Sequence, residues 1–227
     1  MRAMILAAGR GERMRPLTDT CPKPLLVAGG KALIVWHLER LAAAGFTQVV
    51  INHAHLGAQI ETTLGNGSAW GLDITYSPEP PGALETAGGI AQALPLLGDE
   101  PFLVVNGDIY CDWDFRRTRD LSLANDLAHL VLAPNPPQHP AGDFSLAGTR
   151  VRSEGAICHT FAGIGVYRPE LFTGLTRGQP AKLAPLLRHA MTDDRVSGEL
   201  HQGRWEDVGT PERLGKLDQE LRNPASH

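Results

Sequence analysis

The chain has 227 residues, of which 42% are apolar and 20% are charged, and its formal net charge is -4 at pH 7. This length suits one large domain or two small ones, and the ordinary composition excludes a disordered or low-complexity chain. The excess of acid argues against a general nucleic-acid binder, which needs a basic face to neutralise phosphates. A local anion site needs only a few Arg and Lys residues in one loop.

Cysteine usage and hydropathy indicate a reducing, aqueous compartment. The three cysteines are widely spaced, at Cys21, Cys111 and Cys158, so we expect neither a disulfide framework nor a CxxC metal knuckle. No apolar run approaches the ~20 residues that a membrane span requires. The apolar start of the chain ends at Gly9, which is too early for a signal peptide. We therefore expect a cytoplasmic protein with no membrane partner.

Short apolar segments alternate with helix-like segments through the first half of the chain. Predicted strands cover residues 3–8, 49–51, 72–76 and 102–105, and predicted helices cover 33–44, 56–64 and 86–94. This order of strand and helix predicts the α/β class, as a three-layer α/β/α, Rossmann-like domain with a mixed, mostly parallel central sheet. Ligands of such sheets bind beyond the carboxyl ends of the strands.

The second half is less regular. Residues 127–133 read as a strand, 144–167 as further, antiparallel strands, and 181–191 as a helix. Thr210 is a predicted N-cap and Pro211 the first residue of a last helix. Because no repeat or linker divides the chain, we predict one domain over residues 1–222 and a tail at 223–227.

The loop after the first strand is predicted to bind an anion. Gly9 and Gly11 allow backbone N–H groups to approach a phosphate closely. Positive side chains of the same loop are Arg10, Arg13, Arg15 and Lys23. A dinucleotide fingerprint would need glycine at position 14, which is Met14, and a P-loop sequence is absent. The alternative is a flexible surface loop with scattered basic residues.

Two aspartates are predicted magnesium ligands. Asp108 follows the strand at 102–105, at the end where ligands bind, and Asp207 lies in the segment Trp205-Glu206-Asp207-Val208-Gly209. Magnesium takes one or two carboxylates together with substrate phosphates and water. For either aspartate alone, a solvated loop residue or a helix cap is the alternative.

The segment Leu6-Ala-Ala-Gly-x-Gly-x-Arg-x-x-Pro16, followed by Pro22-Lys23-Pro24, resembles the signature of sugar-1-phosphate nucleotidyltransferases. The resemblance implies that Arg13 steadies the triphosphate and that Lys23 contacts the α-phosphate region, which makes both catalytic candidates. It also implies that Asp108 and Asp207 hold Mg²⁺, the expected cofactor. Nucleotide contacts are implied for Ala8, Gly9, Gly11, Glu12, Arg13, Lys23, Glu79 and Leu84.

Residues 79–88 resemble the segment of the family that surrounds the nucleobase. The side chain of Glu79 and the backbone of Leu84 are the implied base contacts. Relatives often have glycine after the leucine, where this chain has Glu85. Glu85 either marks a subfamily or starts the following helix, where a carboxylate suits the helix dipole.

The resemblance also implies a sugar site in the second half. The implied sugar-binding residues are Asn106, Gly142, Glu154 and Gly163. The Lys-Pro pair that usually follows the acidic residue is missing after Glu154, for which a solvated hairpin carboxylate is the alternative. The resemblance thus divides the domain into a nucleotide-binding half, about 1–110, and a sugar-binding half, about 111–222.

The implied partners are a nucleoside triphosphate and a sugar 1-phosphate, with release of pyrophosphate. The short chain and Leu84-Glu85-Thr86 are similar to a branch that uses UTP and N-acetylmuramate 1-phosphate in peptidoglycan recycling. Arg150 and Arg152 are guesses for a cation that would meet the lactyl carboxylate of that sugar. Alternatives are a glucose- or mannose-1-phosphate enzyme that uses dTTP or GTP, a non-catalytic nucleotide-sugar sensor, and an oxidoreductase.

Overall fold

The computed structural model describes residues 1–80 and 84–223. The strands are β1 Ala3–Leu6, β2 Val27–Ala28, β3 Lys31–Ala32, β4 Gln48–His53, β5 Asp73–Pro78, β6 Phe102–Asn106, β7 Ile109–Cys111, β8 Ala128–Ala133, β9 Phe144–Ala147, β10 Arg150–Arg152, β11 Cys158–Tyr167, β12 Val196–Leu200 and β13 Trp205–Asp207. The α-helices are α1 Leu33–Ala43, α2 Gly57–Leu64, α3 Glu85–Leu97, α4 Leu183–Thr192 and α5 Pro211–Arg222. The tail predicted at 223–227 lies, apart from Asn223, outside the described residues.

The central sheet has the strand order β5-β4-β1-β6-β11-β8-β12-β10-β9. The pairs β4–β5, β1–β4 and β1–β6 are parallel, as predicted for the first half. β11 then runs antiparallel to both β6 and β8, whereas β12 is parallel to β8. β9 pairs with β10 and also with β11, so the strands of the second half curl into a closed ring. The predicted α/β fold with a mixed sheet is confirmed.

Helices cover both faces of the sheet because successive strand residues point to opposite sides. On one face, Ile5 packs with Leu38 of α1 and Ile60 of α2. On the other face, Met4 packs with Ile90 of α3 and with residues of α4. Full burial of one such aliphatic side chain is worth about 1.5–3 kcal/mol. These two clusters make the three layers that the sequence predicts.

A third cluster attaches the last helix to the loop after β1. Met14, which is fully buried, packs with Tyr110, Val208 and Leu217 of α5. Thr210 caps α5, since its hydroxyl accepts a hydrogen bond from the N–H of Arg213, as predicted. The cluster therefore holds the first loop, β7 and the end of the chain together. No helix in the described part of the chain is long and apolar enough to cross a membrane.

Candidate active site

A cleft of about 380 Å³ opens beyond the carboxyl ends of the parallel strands. It receives residues from the first loop, from the ends of β1, β4 and β6, and from the start of α3. The residues that line it are Leu6, Ala7, Ala8, Gly9, Gly11, Glu12, Arg13, Met14, Lys23, Pro24, Asn52, Glu79, Glu85, Thr86, Asn106, Asp108 and Gly209. The cleft lies where a doubly wound sheet is expected to bind ligands.

The first loop has a defined conformation. Gly11 has a φ of 68°, and a Cβ there would lie 3.0 Å from the Thr18 side chain and 3.2 Å from Cβ of Lys23. The carbonyl of Gly11 accepts hydrogen bonds from the Thr18 hydroxyl and from the N–H of Met14, each at 2.9 Å. Glycine is therefore required by both backbone geometry and space. These contacts hold the loop in one conformation, and its role in anion binding stays a prediction.

The three arginines of the loop lie in different surroundings. Arg10 pairs with Glu12 at 2.9 Å, and Arg15 lies 3.3 Å from Glu12 and 3.1 Å from Asp19. These exposed pairs neutralise two of the three guanidinium groups at the surface. Arg13 instead lines the cleft. Of the three, Arg13 is thus the one placed to meet a bound phosphate.

Lys23 and Asp108 form an ion pair at the floor of the cleft. The Lys23 ammonium lies 2.7 Å from a carboxylate oxygen of Asp108, and the Lys23 side chain is only 8% exposed. A buried charge without a partner is strongly destabilising, so each group holds the other in place. The sequence predicted a phosphate-binding lysine and a metal-binding aspartate, and the structure places the two side chains in direct contact.

Asp207 reaches the same region from the other end of the chain. β13 is antiparallel to β7, with Asp207 opposite Ile109, and the N–H of Val208 donates to the carbonyl of Asp108 at 3.1 Å. Arg213 donates to the Asp207 carboxylate at 2.7 Å and to its carbonyl at 3.2 Å. The two aspartates predicted to share a metal therefore lie on neighbouring segments, although 99 positions separate 108 from 207.

Gly209 lies between Asp207 and Arg13. A Cβ at Gly209 would be 3.2 Å from a carboxylate oxygen of Asp207, 3.3 Å from a guanidinium nitrogen of Arg13 and 3.0 Å from Arg213. Because this glycine has no side chain, the Asp207 carboxylate and both guanidinium groups occupy the space around it. Arg13, Lys23 and Asp108 thus line the cleft, and Asp207, which is not among the lining residues, lies next to them beside Gly209.

The opposite wall of the cleft is a hydrogen-bonded network around Glu79. Asn52 accepts from the N–H of Ala7 at 2.8 Å and donates to one Glu79 oxygen at 2.6 Å. The other Glu79 oxygen accepts from the N–H of Leu84 at 3.2 Å. A Cβ at Gly89 would lie 2.5 Å from Glu79, so only glycine fits there. One Glu79 oxygen thus ties the predicted base segment to β4, and through Asn52 to the residue after β1, while the other oxygen bonds within the segment itself.

Glu85 begins α3 with a backbone conformation that favours glycine. Its φ is 59°, and its side chain is exposed and lines the cleft. A non-glycine residue in the left-handed region stores strain of order 1–3 kcal/mol. Of the two alternatives for Glu85, the structure shows that it starts the helix. Residues 81–83 of the predicted base segment lie outside the described residues.

The residues predicted for sugar binding are divided between two places. Asn106 lines the cleft, and Gly163, with a φ of 76°, packs so tightly that a Cβ would lie 2.6 Å from the Asn106 amide nitrogen. Gly142 lies beside the backbone of Cys158, and Glu154 is exposed in the loop between β10 and β11. Neither of these last two is among the cleft-lining residues, and all four sugar-binding roles stay predictions.

The two arginines guessed for the lactyl carboxylate are engaged elsewhere. Arg150 makes two hydrogen bonds to the Asp126 carboxylate, at 2.8 and 2.6 Å, and Arg152 pairs with Asp194 at 2.7 Å. The paired guanidinium holds the pKa of the Asp126 carboxyl below its usual value, against the opposing effect of burial. These pairs connect β10 to the loops beside β8 and β12, so we assign both arginines a structural role.

His37 contacts the backbone next to Asp108, a contact that the sequence analysis did not predict. This fully buried residue of α1 has Nε2 2.9 Å from the carbonyl of Ile109, next to Asp108. Burial, opposed by that hydrogen bond and reinforced by the charge of Arg40, lowers the pKa of His37 to about 4. The neutral ring donates from Nε2, and Nδ1 has no partner within the described structure. Apolar spacing on α1 gave no signal for this contact.

The comparisons with known proteins show the family of the chain. The sequence profile described as nucleotidyl transferase matches residues 2–223, so the chain belongs to that family. The resemblance seen in the sequence is thereby confirmed.

Two relatives and one solved structure are informative. The chain is 61% identical to N-acetylmuramate alpha-1-phosphate uridylyltransferase of Neisseria meningitidis, over 94% of this chain and 95% of the relative. It is 36% identical to the protein of the same name from Caulobacter vibrioides, over 97% and 96% of the two chains. A Bacillus anthracis crystal structure described as a candidate glucose-1-phosphate thymidylyltransferase matches with a TM-score of 0.87 at 20% identity, over 98% and 96% of the chains. This last likeness shows the shared fold.

Proposed function

We propose that the protein transfers a uridylyl group from UTP to N-acetylmuramate 1-phosphate and releases pyrophosphate. The observation that carries the proposal is the 61% identity, over nearly the full length of both chains, to a relative that bears this activity in its name. The cleft supports it, because two positively charged residues, Arg13 and Lys23, line it and can meet a triphosphate. A cytoplasmic location in peptidoglycan recycling stays a prediction.

The chemistry is an in-line displacement at phosphorus. An oxygen of the sugar phosphate attacks the α-phosphorus of UTP, the bond to the bridging oxygen breaks, and pyrophosphate leaves with that electron pair. The protein needs no covalent nucleophile, because positioning and charge stabilisation supply the catalysis. Lys23 neutralises the charge that builds up around the α-phosphate. Arg13 stabilises the departing pyrophosphate.

The donor set of the site fits Mg²⁺. Asp108 and Asp207 supply hard carboxylate oxygens from neighbouring segments, which is the ligand type that this ion prefers. When bound, Mg²⁺ would offset phosphate charge and help to align the reacting oxygens. Lys23 and Arg213 hold the two carboxylates in position through ion pairs of 2.7 Å each. These cations balance the charge of the carboxylates in the free protein.

The charge distribution of the cleft favours one orientation of the nucleotide. The cations that line it are Arg13 and Lys23, and the acidic residues that line it are Glu12, Glu79, Glu85 and Asp108. The two cations attract the triphosphate, and Mg²⁺ held by Asp108 would offset the acidic charge beside Lys23, which leaves the base near Glu79 and Glu85. Carboxylate oxygens accept hydrogen bonds, and the imide N–H of uracil is a donor. This complementarity suits a base with a ring N–H donor, which uracil shares with thymine and guanine.

The test is pyrophosphate release measured across a matrix of sugar phosphates and triphosphates. We expect the highest kcat/KM with UTP and N-acetylmuramate 1-phosphate. A preference for glucose or mannose 1-phosphate with dTTP or GTP would instead support the hexose alternative. Tight binding of a nucleotide sugar without any turnover in Mg²⁺ would identify a sensor and overturn the enzymatic proposal.

Asp108→Asn tests the site residues. We expect turnover to fall by about two orders of magnitude or more, because the amide is a poorer metal ligand and loses the charge that pairs with Lys23. Asp73→Asn, at an exposed position of β5, is the matched control and should keep wild-type turnover. Circular dichroism at a single temperature establishes that both variants are folded. Wild-type turnover in Asp108→Asn would remove this residue from the mechanism.

A further inference from the structure

A second group of metal-ligating side chains lies at the end of the β7–β13 ribbon that is remote from Asp108. One ligand atom each from Cys111, Asp112 and His201 lies within 4.8 Å of the others. The His201 imidazole and the Asp112 carboxylate are already in contact at 2.7 Å. Neither the proposed reaction nor the substrate cleft uses these side chains.

The backbone holds the three side chains in place. Cys111 belongs to β7, and the N–H of Asp112 donates to the carbonyl of Arg204 at 3.0 Å. The N–H of His201 donates to the carbonyl of Leu132, at the end of β8, at 2.8 Å. Two separate segments of the chain, 111–112 and the loop after β12, therefore present the three donor atoms from fixed positions, as a preorganised metal site requires.

The surroundings of Cys111 suit a metal-bound sulfur. The N–H of Trp113 donates to the Cys111 sulfur at 3.4 Å, a contact that stabilises the thiolate form. Burial raises the pKa of the free thiol to about 12, so a metal ion must displace the thiol proton, which leaves to solvent. A Cβ at Gly203 would lie 2.5 Å from the Asp112 carboxylate and 2.6 Å from the His201 ring. Glycine there lets the loop close over this pair.

We propose that Cys111, Asp112 and His201 bind a borderline-soft divalent cation such as Zn²⁺, at a site separate from Asp108 and Asp207. Thiolate, imidazole and carboxylate are the ligands of zinc, whereas magnesium prefers oxygen ligands alone. Zinc–ligand bonds of about 2.0–2.3 Å place ligand atoms about 3.3–3.6 Å apart, so the cluster needs to shift by only about 1 Å.

The ion reaches this site from solvent on the side of Asp112. The Asp112 side chain is 47% exposed and that of His201 is 13% exposed, while Cys111 lies at the floor. Water completes the tetrahedron on the open side. The bound ion links the β7–β13 ribbon to the loop after β12, and the other end of that ribbon carries Asp207 and adjoins Asp108.

Cobalt spectroscopy tests the proposal without relying on catalysis. The full-length protein, freed of transition metals and kept in excess Mg²⁺, is titrated with Co²⁺. We expect a thiolate-to-cobalt charge-transfer band in the near ultraviolet, which Zn²⁺ then abolishes by displacement. Cys111→Ser should lose the band. Cys158→Ser, the same substitution at a free cysteine outside the cluster, should keep it.

Zinc affinity provides the second measurement, which does not depend on the stability of the Cys111 variant. In competition with a chromophoric chelator, His201→Gln should bind Zn²⁺ at least tenfold more weakly than the wild type. Circular dichroism establishes that each variant is folded. The absence of a band in the wild type, a band that survives in folded Cys111→Ser, or unchanged zinc affinity in His201→Gln would each overturn the proposal.

Discussion

Mild acid should destabilise this protein through His37. The folded state keeps the ring neutral because burial lowers its pKa to about 4, while the unfolded chain protonates it near pH 6.5. The unfolded state therefore binds more protons as pH falls, and stability is lost between about pH 6.5 and 4. With these two pKa values, His37 alone removes about 2 kcal/mol of unfolding free energy between pH 7 and pH 5.

Urea unfolding at the two pH values measures this effect. In His37→Gln the amide can still donate to the carbonyl of Ile109, and nothing titrates, so the pH-dependent loss should shrink by about 2 kcal/mol. His189→Gln, at an exposed position of α4, is the control and should behave as the wild type. Carboxyl groups titrate in all three proteins and cancel in the differences. An equal loss of stability in His37→Gln and the wild type would refute the reasoning.

Two further substitutions test the cleft. Glu85→Gly relieves the backbone strain of a φ of 59° but gives the unfolded chain more conformational freedom. We expect the free energy of unfolding to rise by roughly 0.5–1 kcal/mol and the thermal midpoint by about 1–3 °C. We also expect a lower kcat/KM. An unchanged or lower thermal midpoint would show that the backbone at Glu85 is not strained. Arg213→Gln frees the Asp207 carboxylate, so half-maximal activity should need about tenfold more Mg²⁺. An unchanged Mg²⁺ requirement would show that Arg213 does not position Asp207.

The local pattern of apolar residues was enough to predict most of the strands and helices in the first half of the chain. The predicted strands at 3–8 and 102–105 correspond to β1 and β6, and the predicted helix at 33–44 corresponds to α1. Their apolar periodicity matches their burial, so local and tertiary preferences agree. The alternation also placed the cleft at the carboxyl ends of the strands. The ring closed by β9 and β11 was not predicted, because pairing between strands far apart in sequence leaves no local periodicity.

The residues of the site were predicted from sequence, but the contacts between them were not. Motif spacing indicated Lys23, Asp108 and Asp207, and the structure places them together. The ion pairs that hold the two aspartates depend on where α5 and the first loop meet. In the sequence, nothing distinguishes His37 from the other positions of α1. Its buried contact with the carbonyl of Ile109 depends on tertiary packing alone. A single sequence carries no local signal for such contacts.

The pairing of β13 with β7 has a consequence for synthesis of the protein. Strands β1, β4 and β6 are translated well before Asp207 and the helix that packs on Met14. Domains mature only when their distant segments are present. A nascent or truncated chain that stops before residue 205 lacks the Asp207 carboxylate and the helix that packs against its first loop. It should consume no triphosphate, which confines catalysis to chains that extend past this segment.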